Sequence, residues 1–122
     1  MADLSIMVGQ ERDGDVSVLR LEGDIDASTH KGLEEKASEV VVAGASNILL
    51  DLSGVNYMGS AGFRSIHAIS NMLESGDAQG MGKSRHLKLL NPSEDVARVI
   101  KTLGFDVYLD IFSDRNEAIN SF

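Results

Sequence analysis

A chain of 122 residues with 43% hydrophobic residues, one proline and no cysteine is large enough for a single core and too short for two, and it has no disulfide framework, thiolate metal site or cysteine nucleophile. Lysine and arginine number 11 against 19 acids, a formal net charge of −8, which opposes binding to nucleic-acid phosphates or to an anionic membrane and favours a protein partner. No segment approaches the ~20 apolar residues of a membrane span, and the N-terminal stretch, with Asp3, Glu11, Arg12, Asp13 and Asp15, has no apolar run of signal-peptide length, so the expected location is the cytoplasm. Four Phe, two Tyr and no Trp leave the core to aliphatic side chains.

Leu4 to Glu11 and Val16 to Glu22 are β-rich runs separated by Arg12-Asp13-Gly14-Asp15, and the Asp-Gly step predicts a hairpin. After a turn at Gly23 to Asp26, Leu33, Ala37 and Val40 fall at helical spacing in a helix over 28–42 that ends at Gly44. Asn47 to Leu52 is a near-continuous aliphatic run, as in a strand covered on both faces. A short connection follows, then a helix over 60–74 whose stripe of Gly62, Ile66, Ile69 and Leu73 faces the sheet and whose other face carries Arg64, Ser65 and Asn71. Ser75 to Arg85, with Gly76, Gly80 and Gly82, predicts a mobile loop before a strand at Leu87 to Leu90. Asn91-Pro92-Ser93-Glu94 carries start signals for a third helix from Pro92 to Leu103, stopped by Lys101 and Gly104. Val107 to Phe112 forms the last strand, and Asp114 caps a short helix with Ala118 and Ile119. The order β-β-α-β-α-β-α-β-α describes one α/β domain over residues 1–122, with a mixed, mainly parallel sheet and helices packed against it.

The most informative stretch is Ile48 to Ile66. An apolar strand ends in Asp51-Leu52-Ser53-Gly54, and Gly59-Ser60-Ala61-Gly62 opens a helix, which puts the Ser60 hydroxyl where unpaired N–H groups and the helix dipole favour an anion. Leu49-Leu50-Asp51-Leu52-Ser53-Gly54-Val55 with Met58-Gly59-Ser60-Ala61-Gly62-Phe63 resembles the central signature of STAS domains, most closely the bacterial anti-sigma-factor antagonists. Leu21-Glu22-Gly23-Asp24-Ile25-Asp26, Leu103-Gly104-Phe105, Ile111-Phe112 and Glu117-Ala118 resemble other parts of that family in the same order. The resemblance implies a non-enzymatic domain that binds an anti-sigma factor, itself a serine kinase, when unphosphorylated. The same resemblance implies that phosphorylation at Ser60 would switch it off and that a PP2C-type phosphatase would reverse the reaction. The implied partner surface comprises Asp24, Asp26, Met58, Gly59, Ser60, Phe63 and Arg64. The sequence departs from the family pattern at Gly59, where an acid is usual, and at Ala61, where a second hydroxyl often stands.

Other chemistries fit less well. Local pattern alone makes Ser60 a helix-capping serine, a role compatible with modification. A nucleophile elbow needs glycine two residues before the serine, where Met58 stands, and no motif links His30, His67 or His86 to Ser60. Gly82-Lys83-Ser84 lacks the first P-loop glycine, since position 77 is Asp, and it lies between helix and strand in the wrong order. Asp24 and Asp26 lack the further ligands of a Ca²⁺ loop and read as turn formers, so neither metal nor cofactor is expected. Two alternatives remain beside the antagonist: a STAS scaffold in another complex, such as a stressosome or a lipid-transport assembly, and a small nucleotide-binding sensor using the glycine-rich loop. The oligomeric state stays open between monomer and weak dimer.

Overall fold

The computed structural model describes residues 4–12, 14–73, 85–107 and 109–122. The expected order holds, with strands β1 (Leu4–Glu11), β2 (Val16–Ile25), β3 (Asn47–Met58), β4 (Leu87–Leu90) and β5 (Asp110–Phe112) and helices α1 (His30–Val42), α2 (Ser60–Leu73), α3 (Glu94–Thr102) and α4 (Arg115–Asn120). The sheet order is β1-β2-β3-β4-β5. Only β1 and β2 run antiparallel; each later neighbour is parallel, with a helix in each connection between them. The larger apolar cluster joins Leu19, Leu21, Ile48, Leu50 and Leu52 to Leu33, Ile66, Ile69, Val96 and Ile100 from α1, α2 and α3. A smaller one joins Val16, Val18, Leu49 and Leu90 to Ala118 and Ile119 of α4. Burial of β3 on both faces therefore follows from alternate residues entering different clusters.

Several boundaries differ from the sequence reading for local physical reasons. β3 continues through the expected connection to Met58, paired with β2 through two register shifts, between Arg20 and Glu22 and between Gly23 and Asp24. Each shift inserts one extra residue on β3 and breaks the two-residue period by which strands are recognised. At the first, a Cβ on Gly54 would lie 2.8 Å from the Leu21 carbonyl oxygen, so only glycine permits this approach of β3 to β2. β2 likewise runs on to Ile25, which places Asp24 in the strand rather than in a turn. α3 starts two residues later than predicted: Ser93 is the cap, its hydroxyl accepting from Val96 N–H, while Asn91 adopts φ 52° and keeps Pro92 outside the helix. Phe105–Val107 is a 3₁₀ turn, so β5 begins only at Asp110. Asp114 caps α4 as expected, accepting from Glu117 N–H at 3.1 Å. The glycine-rich loop and its Gly82-Lys83-Ser84 step lie outside the described residues.

Candidate functional site around Ser60

The last residues of β2 and β3 are neighbours in register, Asp24 beside Tyr57 and Ile25 beside Met58. The chain leaves β3 at Gly59, whose N–H donates to the Ile25 carbonyl at 2.9 Å. The Gly59 carbonyl accepts from Gly62 N–H at 2.9 Å and Phe63 N–H at 3.3 Å. Gly59 thus holds the cap position and Ser60 is the first helical residue, one position further in than a capping serine would stand. Ser60 is exposed, and its hydroxyl makes no hydrogen bond among the described residues. Its structural duty is small.

Two glycines shape this turn. A Cβ on Gly62 would lie 2.6 Å from Met58 Cγ and 2.8 Å from Ile25 Cγ2, so glycine allows the first turn of α2 to rest directly on the ends of β2 and β3. A Cβ on Gly59 would lie 3.0 Å from the Tyr57 hydroxyl. A side chain at position 59 would therefore press on the end of the exposed Tyr57 ring. Tyr57 is 55% exposed and stands three residues before Ser60, and the sequence signal for it is an aromatic residue adjoining a glycine-rich helix start.

The implied contact residues separate into two groups. Arg64 is exposed and one turn beyond Ser60, a spacing that places the two on one helix face. Met58 and Phe63, by contrast, are 6% and 3% exposed and belong to the main core, which corrects their expected place on the partner-facing surface. Phe63 packs edge-on against Phe105 with ring centroids 5.6 Å apart, so the Leu103-Gly104-Phe105 motif buttresses the start of α2 from beneath. Phe63 lies three residues before Ile66 on the stripe that faces the sheet, which explains its burial.

The acidic turn is tied internally. Asp26 Oδ1 accepts from Ser28 N–H at 2.9 Å, Ser28 Oγ at 2.8 Å and Thr29 N–H at 3.1 Å. Thr29 Oγ1 accepts from Asp26 N–H at 2.9 Å and donates to the Asp24 carbonyl at 2.8 Å. The Ser28 bonds, and then those of Thr29, hold the Asp26 carboxyl below the usual aspartate range. Below this turn α1 meets α2 through a polar contact. Ser65, fully buried on α2, donates to Glu34 Oε2 at 2.6 Å, and His30 Nδ1 lies 3.2 Å from that oxygen and 3.1 Å from Ser65 Oγ. The Ser65 bond first, then His30 and the charge of Lys31, lowers the Glu34 carboxyl. His30 thus serves the helix contact through Ser65.

The STAS domain family model matches residues 8–118. The chain belongs to the STAS domain family. An anti-sigma-F factor antagonist of Mycobacterium tuberculosis, RsfB, is 30% identical over 104 residues, covering 85% of this STAS domain and 79% of RsfB. Among solved structures, an anti-sigma factor antagonist from Mycobacterium paratuberculosis superposes with a TM-score of 0.78 at 23% identity, covering 97% of this chain and 92% of that one. SpoIIAA in its unphosphorylated form gives 0.74 at 21% identity, with 95% and 94% covered. The phosphorylated form of the Bacillus SpoIIAA gives 0.67 at 21%, with 95% and 97% covered. These structural likenesses establish the fold, a SpoIIAA-like α/β domain. Among the described residues no helix is long and apolar enough to cross a membrane.

Proposed function

We propose that this STAS domain is an anti-sigma-factor antagonist that docks on an anti-sigma factor through the surface around Ser60 and is released when Ser60 is phosphorylated. The observation that carries this reading is an exposed serine hydroxyl, without a partner among the described residues, on the first residue of α2 in a chain 30% identical to RsfB. Transfer of a phosphoryl group to Ser60 Oγ with loss of the hydroxyl proton adds about −1.5 to −2 charges beside the open N-terminal N–H groups of α2 and one turn from Arg64. Both features stabilise that charge, so the fold has no need to rearrange. The existence of SpoIIAA structures in both states supports a fold that tolerates the modification. What changes is the face presented to the partner, through charge and bulk beside Tyr57. In this reading the domain is a substrate of a serine kinase, a PP2C-type phosphatase resets it, and it works in the cytoplasm without a catalytic site of its own.

The test is a pull-down from the native host with wild type and Ser60→Asp as parallel baits, read by mass spectrometry. Capture of an ATPase-domain kinase by wild type alone supports the antagonist; capture of one unrelated assembly by both baits contradicts it. Gly59 favours that second outcome as the alternative, a STAS scaffold, because the acid usual before the switch serine is replaced by a glycine next to the Tyr57 ring.

A further inference from the structure

We propose that Arg64 is the side chain through which phosphorylation of Ser60 is read: unpaired in the unmodified domain, it meets a carboxylate of the anti-sigma factor, and the phosphoryl group on Ser60 then draws it out of that contact. This rests on the antagonist reading and adds to it the residue that carries the signal. Ser60 and Arg64 stand at i and i+4 of the 14-residue α2, and both are exposed. Residues so spaced have Cβ atoms about 5–6 Å apart, and helical side chains tilt towards the N-terminus, the direction of Ser60. An anion on the N-terminal side of a cation is also the favourable order for such a pair.

The surroundings of Arg64 are unusual for this chain. With 19 acids against 11 lysines and arginines, its cations have carboxylates in plenty. Arg12 pairs with Asp15 at 3.5 Å, Arg20 with Glu22 at 3.5 Å, Arg98 with Asp95 at 3.1 Å and Arg115 with Glu11 at 2.8 Å. Arg64, by contrast, makes no ion pair or hydrogen bond among the described residues. α2 carries no acid, so its neighbours on the helix surface, Ser60, Ala61, His67 and Ala68, offer no carboxylate. Gly59 offers none either, and Asp26 Oδ1 is engaged with Ser28 and Thr29. An exposed guanidinium clear of the chain's own acids, beside the switch serine, suits an anion brought from outside: the partner's carboxylate before modification and the phosphate after it. The kinase's nucleoside triphosphate supplies the phosphoryl group; its bond to the leaving diphosphate breaks as the bond to Ser60 Oγ forms, and the hydroxyl proton is released. A guanidinium meets carboxylate and phosphate through the same paired N–H donors, so the two compete for it. The phosphate has the advantage, being tethered one turn away on the same helix while the carboxylate arrives from solution.

The test compares wild type, Arg64→Gln and Arg64→Lys, each as the full chain with serine or with phosphoserine installed at position 60. Phosphorus NMR titration of the phosphorylated forms needs no partner. The second pKa of the phosphate is expected to lie about 0.5 lower in wild type than in Arg64→Gln, with Arg64→Lys between them, a difference that the helix N-terminus, common to all three, does not produce. Among the unmodified forms, Arg64→Gln is expected to bind the anti-sigma factor captured by wild type roughly tenfold more weakly at an unchanged thermal midpoint, and added salt to narrow that gap. Equal phosphate pKa values in the three proteins, or full affinity in unmodified Arg64→Gln, overturn the role of Arg64 and leave the antagonist reading standing. Phosphorylated wild type that binds as tightly as the unmodified domain overturns the antagonist reading itself.

Discussion

Two turns sit side by side at the ends of β2 and β3, and they spend their polar groups differently. In the turn after β2, the Asp26 carboxylate, the Ser28 and Thr29 hydroxyls and the intervening N–H groups are bonded to one another. In the turn after β3, Gly62 brings the start of α2 onto the Met58 and Ile25 side chains, and the hydroxyl of Ser60 is left exposed. One turn is braced by its own side chains through Asp26 Oδ1, with Oδ2 without a partner among the described residues; the other presents an exposed hydroxyl on a glycine-closed base. The Asp26 carboxylate also fixes the turn that follows the Ile25 carbonyl, on which Gly59 N–H closes.

The sharpest way to break this contrast is to disturb the base. Gly62→Val drives side-chain atoms into Met58 and Ile25, and overpacking at such a contact costs about 2 kcal/mol or more, read as a lower urea midpoint with an unchanged slope. Next in size is Tyr57→Ala. With the ring 55% exposed, it leaves the urea midpoint in place but weakens binding of the captured anti-sigma factor by roughly tenfold, about 1.4 kcal/mol, measured by calorimetric titration.

Smaller effects come from the polar contact beneath the turns. Ser65→Ala removes the 2.6 Å bond to Glu34 and costs about 1 kcal/mol at neutral pH. Glu34 and Asp26 both titrate below their ordinary values of 4.5 and 3.8. Their contribution to stability is accordingly full above those values and is lost as pH falls through the lowered ones. Urea midpoints measured through the acid range should fall more gently in Ser65→Ala than in wild type, because the largest cause of the Glu34 shift is gone. Equal slopes would remove this contact from the account.

The elements were legible where one period ruled. The aliphatic run of β3, the stripe of α2 and the caps at Gly44 and Asp114 all followed local rules that the tertiary structure left in force. The misplacements occur where two local rules compete or where a neighbour intervenes. Asn91-Pro92-Ser93 offers two start signals, and the left-handed Asn91 decides for the second. The two bulges of β3 scrambled its alternation after Asp51, which hid the strand and with it the position of Tyr57. Ser60 was legible because the strand, the glycines and the helix around it are all local. That Met58 and Phe63 turn inward depends on Gly62 letting α2 close onto the sheet and on Phe105 arriving from the far end of the chain, and only a folded structure brings those together.

The most direct test of Ser60 as a switch free of structural duty pairs two readings on wild type, Ser60→Ala and Ser60→Asp: the thermal midpoint, and affinity for the anti-sigma factor captured by wild type. The account predicts that the three midpoints nearly coincide, within the ~0.5 kcal/mol usual for surface positions, while wild type and Ser60→Ala bind alike and Ser60→Asp does not bind. Wild-type affinity in Ser60→Asp, or loss of binding that tracks a large fall in its thermal midpoint, would contradict it.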